Sequence, residues 1–162
     1  MKFLKTIRFD PSDENVFEHA AEPDEWAISG AFEFADLEQG DVTGKTKQAF
    51  ANGFLSAESF GRSTFASVAE LEDDDLEAVE RSLAQYFVEH YGAPDEDTAC
   101  PAAREETQFV IDLCKDSLIN TVFTVQRRFS DDGQIKEEFR TIRAPDARPL
   151  HTRIWNVVAD DE

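Results

Sequence analysis

The sequence predicts a single α+β domain in which about three helices cover a mainly antiparallel sheet. Segments with the two-residue periodicity of strands cluster toward both ends of the chain. The helical segments lie between them without regular alternation, which favours this class over a doubly wound fold. A length of 162 residues suits one domain, and 41% hydrophobic residues, with 14 Phe, provide for a core. Because no repeat or linker divides residues 1–162, we predict one domain with a short acidic tail from about residue 159.

The N-terminal part of the chain predicts two strands. Residues 2–9 alternate apolar and polar side chains before the turn-forming segment 10–13. Residues 26–35 alternate more clearly, and their apolar face comprises Trp26, Ile28, Gly30, Phe32 and Phe34. Segment 16–21 is consistent with a short strand or with irregular structure.

The middle of the chain predicts three helices and one strand. Thr43 is placed to cap a helix that runs to about residue 58, and Gly53 within it indicates a close backbone approach. Residues 60–71 carry little charge on either face, which predicts a central strand. A helix over 73–91 follows, with three aspartates at its N-terminal end. Pro101 then predicts the start of a further helix that reaches about residue 117.

The last third of the chain predicts a hairpin. Residues 120–129 and 134–143 flank Asp131-Asp132-Gly133, which is a strong turn signal. A three-residue loop groups the apolar residues on one face, whereas a two-residue loop does not. The preferred register pairs Phe129 with Ile135, Arg127 with Glu137 and Val125 with Phe139. Residues 154–158 predict a short last strand before the acidic tail 160–162.

The charge balance restricts the possible partners. The chain has 35 acidic and 16 basic residues, a net charge of −19. Such a surface repels phosphate backbones and anionic lipids, so we predict neither nucleic-acid nor membrane binding. It is compatible with a basic protein partner, with a cation, or with solubility alone. Because the sequence also lacks an export signal and an apolar run of spanning length, we expect a cytoplasmic protein.

Several chemical motifs fail when their spacing is tested. Segment 40–46 resembles a phosphate-binding loop, but it has three residues between its glycines where that loop has four. His19, His90 and His151 lie too far apart to form a metal-binding pair, and no nucleophile elbow is present. We therefore predict no catalytic residue, no metal site and no cofactor.

The two cysteines, Cys100 and Cys114, do not indicate a disulfide framework. Cys114 falls in an apolar helical pattern and is predicted to be buried. Cys100 precedes Pro101 at the predicted helix start, where the pKa of its thiol would be lowered. The alternatives for Cys100 are a reactive thiol and a structural residue.

One segment is the candidate binding site. Glycines, aromatic residues and an arginine meet between residues 52 and 64, and the candidate binding residues are Asn52, Phe54, Phe60 and Arg62. On a buried strand, Arg62 would need an anionic partner. An internal Asp or Glu is preferred to a ligand as that partner, since an unpaired buried charge is costly.

Six segments together resemble an uncharacterised family of alphaproteobacterial proteins of unknown function. These segments are MKFLKTIRFD, EWAISGAFEF, TGKTKQAFANGFLSAESFGRSTF, HYGAPD, PAAREE and INTVFTV, and they span most of the chain. The resemblance implies no activity and no catalytic residue. It implies a place among the accessory proteins of molybdenum or iron–sulfur redox enzymes.

Two functional hypotheses follow. The first is a non-enzymatic accessory or interaction protein that binds another protein through an acidic or apolar surface. The alternative is a small-molecule-binding domain, or an enzyme of unrecognised type, with a pocket near Arg62. A homodimer is compatible with either hypothesis.

Overall fold

The computed structural model describes residues 1–9, 11–37, 39–142 and 157–159. Within these residues the chain forms a single eight-stranded sheet. The strands are β1 (Lys2–Ile7), β2 (Trp26–Ile28), β3 (Phe54–Ser56), β4 (Arg62–Ser63), β5 (Phe65–Glu70), β6 (Val122–Phe129), β7 (Ile135–Ile142) and β8 (Val157–Ala159). The helices are α1 (Ser12–Val16), α2 (Gly44–Asn52), α3 (Asp73–His90) and α4 (Glu96–Cys114), with 3-10 helices at Ala31–Phe34 and Gln39–Asp41.

The sheet has the order β4-β3-β2-β1-β5-β6-β7-β8, and every pair of neighbouring strands is antiparallel. Helices α3 and α4 pack against each other, and α4 also packs on β1 and β2. Helix α2 packs against β6. The predicted α+β class with an antiparallel sheet is therefore confirmed.

Two hydrophobic clusters form the interior. The larger joins apolar side chains of the central strands to those of α3 and α4, and it includes Phe3, Val68 and Leu83. The smaller comprises Phe34, Val42 and Phe50 under the tip of the β6–β7 hairpin. Since α2 contributes to the second cluster, it fixes the hairpin against the body of the domain.

The hairpin confirms the predicted register at every pair. Phe129 lies opposite Ile135, Arg127 opposite Glu137, and Val125 opposite Phe139. The backbone N–H of Ser130 donates to the carbonyl of Gln134 (2.7 Å) and closes the three-residue loop. Within the loop, Gly133 adopts φ +85° and its N–H donates to the carbonyl of Ser130 (2.9 Å). The predicted final strand is observed over Val157–Ala159, whereas 154–156 and the acidic tail 160–162 lie outside the described residues.

The predicted strand over 26–35 is wrong beyond Ile28. Gly30 adopts φ +77°, and this turn directs the chain into the 3-10 helix Ala31–Phe34. A β-carbon at Gly30 would lie 2.4 Å from Cβ of Leu55, so the turn depends on glycine. Phe32 and Phe34 continue the strand-like alternation in the sequence, although the backbone leaves the sheet at Gly30.

Two other predicted boundaries are wrong. The helix predicted to reach about residue 58 ends at Asn52 and is followed by β3, whose three side chains are all buried between β2 and β4. The strand predicted over 60–71 is divided at Thr64, because the carboxylate of Asp13 accepts hydrogen bonds from its backbone N–H and hydroxyl (3.2 and 2.7 Å).

Helix α4 begins five residues before the predicted Pro101. Asp95 is its N-cap and accepts a hydrogen bond of 2.7 Å from the backbone N–H of Thr98. Cys100 consequently lies in the second turn of α4, not at its start, and is half-buried. The prediction that Cys114 is buried is confirmed.

Segment 40–46, which resembles a phosphate-binding loop, begins within a 3-10 helix and does not follow a strand. Gln39–Asp41 forms that helix and Thr43 is the N-cap residue of α2, without a side-chain hydrogen bond to the helix. A phosphate-binding loop requires a strand in this place. Among the described residues, no helix is long and apolar enough to cross a membrane.

Candidate functional site

Arg62 is a buried cation with an internal partner. Strand β4 directs its side chain inward, and the residue is 5% exposed. Its guanidinium donates to Oε1 of Glu33 (2.7 Å) and to the carbonyls of Gly53 (3.0 Å) and Gly30 (3.1 Å). Burial lowers the pKa of Arg62 to about 10, with a further decrease from Arg127 and a partial offset from Glu33. The guanidinium stays charged at neutral pH, and the predicted internal acidic partner is confirmed.

Arg127 is a second buried cation close to the first. Its guanidinium donates to Glu137 (2.8 Å) and to three carbonyls at the end of α2, those of Phe50 (2.9 Å), Gly53 (2.9 Å) and Ala49 (3.3 Å). It also donates to the carbonyl of Ser29. Burial lowers the pKa of Arg127, and Glu137 opposes that shift. Arg127 therefore caps the negative end of α2.

The two arginines meet at shared groups. Both donate to the carbonyl of Gly53, and both guanidinium carbons lie over the ring of Phe34, at 4.7 Å for Arg62 and 5.8 Å for Arg127. A β-carbon at Gly53 would lie 3.1 Å from Cδ of Arg62 and 2.9 Å from the carbonyl oxygen of Ala49. The close approach predicted at Gly53 is thus confirmed, and it admits the arginine pair.

Glu33 connects this pair to two tyrosines near the surface. While Oε1 accepts from Arg62, Oε2 accepts from the hydroxyls of Tyr86 and Tyr91, the latter at 3.0 Å. Burial raises the pKa of both phenols, and the negative charge of Glu33 raises it further. Both tyrosines are therefore neutral hydrogen-bond donors at physiological pH.

A pocket of about 410 Å³, here named the α3–α4 pocket, opens beside Tyr91. Its walls include three aromatic rings and two carboxylates, from Phe32, Phe87, Tyr91, Glu105 and Glu106. The ring of Phe32 makes edge contacts with those of Phe87 (5.0 Å) and Tyr91 (5.4 Å). Since the Tyr91 hydroxyl is bonded to Glu33, the aromatic wall is held in place before any ligand arrives.

Glu106 is the most perturbed carboxyl group of this pocket. Burial raises its pKa to about 7, with repulsion from Glu137 and Glu105 adding to the effect and Arg127 opposing it. Within the described part of the chain, Glu106 forms neither a salt bridge nor a hydrogen bond of its side chain. At neutral pH the carboxyl group of Glu106 is therefore partly protonated, and a cationic group that enters the pocket would favour its ionised form.

Replacing Glu106 with glutamine should flatten the pH dependence of stability between about pH 5 and 7. Because its pKa is about 7 in the folded protein and 4.5 without perturbation, its contribution is fully present below about pH 4.5 and is lost as the pH rises through 7. The wild-type free energy of unfolding should fall across this range. Urea unfolding at pH 5, 6, 7 and 8 measures it.

The matched control is Glu77→Gln on the exposed side of α3. This variant should keep the wild-type decline in stability between pH 5 and 7. An equal decline in the Glu106→Gln variant would mean that Glu106 titrates normally.

A second pocket of about 460 Å³ lies on the other side of Tyr86. Phe60 forms part of its wall and stacks on the ring of Tyr86, with centroids 3.8 Å apart and planes inclined by 3°. His19 and His90 also line this pocket. No group of His, Cys, Asp or Glu among the described residues has a geometry that could hold a metal ion.

The four sequence-predicted binding residues do not line one pocket. Arg62 is enclosed by its internal partners, and Phe54 is fully buried in the larger core cluster. Phe60 lines the pocket beside Tyr86, whereas Asn52 lines a separate cleft against the β6–β7 hairpin. The four residues remain a prediction as ligand contacts.

Sequence reasoning missed the residues that organise this region. Glu33 falls within the segment 26–35 that the sequence predicts as a strand, and Arg127 enters the sequence prediction only as the partner of Glu137 in the hairpin. A signal did exist for Arg127, because it occupies an inward position between Val125 and Phe129 in the preferred register. Nothing in the sequence distinguished Glu106 from the other carboxylates.

Comparison with known proteins assigns the chain to a family without assigning an activity. Neither the curated proteins nor the solved structures include one that matches this chain significantly. Residues 1–156 match the family of unknown function DUF6505. This match covers β1 to β7, the four helices and both pockets described above, and the chain therefore belongs to the DUF6505 family.

Proposed function

We propose that this protein is a non-enzymatic interaction protein whose α3–α4 pocket receives a basic side chain of a partner protein. The observation that carries the proposal is the combination of three aromatic walls with the carboxylates of Glu105 and Glu106. Aromatic faces and carboxylates both attract an ammonium or guanidinium group. A lysine or arginine side chain also has an apolar stem that suits the aromatic walls.

The charge of the surrounding helices supports a basic partner. Helix α3 has six acidic residues against one arginine, and α4 has five against one arginine. Such a surface attracts cations over a distance of about 8 Å at physiological salt and raises the rate of encounter. The acidic excess therefore favours the same class of partner as the pocket does.

Preorganisation of the pocket supports binding, not only structural packing. Tyr91 is 43% exposed although its hydroxyl is bonded to Glu33. Glu33 is in turn fixed by Arg62. A wall held in this way loses little conformational entropy when a ligand binds.

The resemblance to an uncharacterised protein family implies a place among the accessory proteins of redox enzymes, and this gives the proposal a cellular setting. Under it, the partner is a protein of a molybdenum or iron–sulfur enzyme assembly pathway, and binding takes place in the cytoplasm. A homodimer is compatible with the proposal, since the α3–α4 pocket is complete within one chain.

A second candidate function is the binding of a small organic ligand near Arg62. The observation that favours it is the pocket beside Tyr86, where the stacked rings of Phe60 and Tyr86 form a flat wall. Arg62 supports this wall through Glu33 and does not line the pocket itself.

Replacing Tyr91 with alanine should weaken binding of a lysine-containing peptide by about 2- to 30-fold, the range expected for loss of one cation–π contact. The probe is a short peptide with one central lysine and no other charged group, titrated into ¹⁵N-labelled protein. Saturable shifts should appear in the wild-type amides at the end of α3 and around Ala102. A peptide with glutamate in place of lysine should cause none.

Phe109→Ala is the matched control, because Phe109 is also a 43% exposed aromatic residue but does not line the α3–α4 pocket. This variant should bind the lysine peptide as the wild type does. Equal loss in both variants, or no saturable shift in the wild type, would refute the proposal. Tighter binding of a free diamine than of the peptide would assign the pocket to a small amine instead.

A further inference from the structure

The exposed face of the β6–β7 hairpin carries two like charges directly opposite each other. Arg128 pairs with Lys136 in the register, and both side chains are exposed. Like charges in this arrangement destabilise a sheet. With 35 acidic residues in the chain, an opposite charge in one of these positions would have been easy to accommodate. The pair is therefore an unfavourable feature that needs an explanation.

The carboxylates close to this pair are occupied by other groups. Glu137 accepts from Arg127, and Glu138 accepts from Arg140 at 2.8 Å. Asp132 accepts from the hydroxyl of Ser130. This hydrogen bond is the main reason why the pKa of Asp132 is lowered, and the charge of Lys136 contributes least to that decrease. Within the described residues, neither Arg128 nor Lys136 takes part in a salt bridge. Two cations on one face thus have no salt-bridge partner among the described residues.

A cleft of about 610 Å³ lies between this face and the end of α2. Its lining comprises Ala51, Asn52, Gln126, Arg127, Arg128 and Lys136 together with the carboxylates of Glu137 and Glu138, and its volume is within the range of small-molecule sites. The amide nitrogen of Asn52 donates one hydrogen bond to the carbonyl of Val125 (3.2 Å), which leaves its second N–H for a ligand. Two cations and two amide side chains therefore converge on one concave surface.

The chain beside the cleft is free of acidic residues over a long segment. From Val42 to Ala57, which includes α2, there is no Asp or Glu, while Lys45 and Lys47 are present. This local composition contrasts with the acidic α3 and α4. On the hairpin side, the two carboxylates of the lining, Glu137 and Glu138, pair with Arg127 and Arg140. Among the described residues, the charges of the cleft that have no salt-bridge partner are those of Arg128 and Lys136.

We propose that this cleft binds a small molecule that bears a phosphate group. An arginine fork beside a lysine point charge suits the several oxygens of a phosphate, and the amides of Asn52 and Gln126 add neutral donors. The bound anion would lie between Arg128 and Lys136 and would neutralise their repulsion. This inference is independent of the proposed function, because the surface, the charge and the ligand all differ.

The test is a titration of the full chain with phenyl phosphate, followed by NMR of ¹⁵N-labelled protein at constant ionic strength. Saturable shifts should appear at Gln126, Arg128 and Lys136. The double variant Arg128→Gln/Lys136→Gln should lose at least ten-fold in affinity. Arg81→Gln/Arg104→Gln, which removes two cations from α3 and α4, should bind phenyl phosphate like the wild type.

Stability provides a second readout that does not depend on the NMR assignment. Without ligand, the Arg128→Gln/Lys136→Gln variant should unfold at the same urea concentration as the wild type or at a higher one. Phenyl phosphate should raise the wild-type midpoint and leave that of the variant unchanged. Absence of saturable shifts, or equal affinity in the two proteins, would overturn the proposal. Benzoate that binds as well as phenyl phosphate would overturn the assignment of the site to phosphate.

Discussion

Replacing Arg62 with methionine should lower the free energy of unfolding by about 3–5 kcal/mol, the range found when one member of a buried ion pair is removed. The side chain of Arg62 is 6% exposed and 2.7 Å from the carboxylate of Glu33. Without it, Glu33 keeps only its two tyrosine donors, and the carbonyls of Gly30 and Gly53 each lose a donor. Methionine retains much of the volume, so the loss reports on charge and hydrogen bonds. Urea unfolding followed by circular dichroism measures it.

The control for Arg62 is Arg104→Met on α4. Arg104 is 68% exposed and lies 3.9 Å from Glu80, so its removal should cost less than about 1 kcal/mol. A second check is the double variant Arg62→Met/Glu33→Gln, which should be less destabilised than the sum of the single variants. If Arg62→Met cost no more than Arg104→Met, Arg62 would be held for a ligand, and the small-molecule hypothesis would gain.

The sequence allows prediction where local patterns decide the structure. Helix α3 is predicted over 73–91 with three aspartates at its N-terminal end and is observed over Asp73–His90, and the hairpin register follows from a turn signal between two alternating segments. At Gly30 the same kind of reasoning fails, since the aromatic alternation continues while the backbone turns at φ +77°. A pattern of side chains does not report a positive φ, and glycine only permits one.

The candidate site depends on contacts between distant segments, and for this reason only part of it could be predicted. The need of Arg62 for an acidic partner follows from burial, but the choice of Glu33 among 35 acidic residues does not. Glu33 reaches Arg62 because the chain turns at Gly30. The α3–α4 pocket likewise needs Phe32, Tyr91 and Glu106 together, and these residues come from three separate elements.

Replacing Arg127 with methionine should also cost about 3–5 kcal/mol, because Glu137 is left without its buried partner. Unlike the Arg62 variant, the Arg127 variant should also destabilise the C-terminal end of α2. Arg127 donates to the carbonyls of Ala49, Phe50 and Gly53 at the end of α2. The carbonyl of Ala49 also accepts from the backbone N–H of Gly53 (3.0 Å), and that of Gly53 also accepts from Arg62 (3.0 Å). Loss of this cap should increase amide hydrogen exchange in α2 more than in α3. Arg128→Met, at the adjacent exposed position, should change stability by less than about 0.5 kcal/mol.

The two arginines should not act independently, because both donate to the carbonyl of Gly53 and both lie over Phe34. Their mutual repulsion is one cause of the lowered pKa of Arg62. Removing either one relieves this repulsion but breaks the shared contact with Gly53. The double variant Arg62→Met/Arg127→Met should therefore be less destabilised than the sum of the single variants, by about 0.5–3 kcal/mol. Strict additivity would mean that the arginines stabilise separate parts of the fold, and the buried pair would not be one unit.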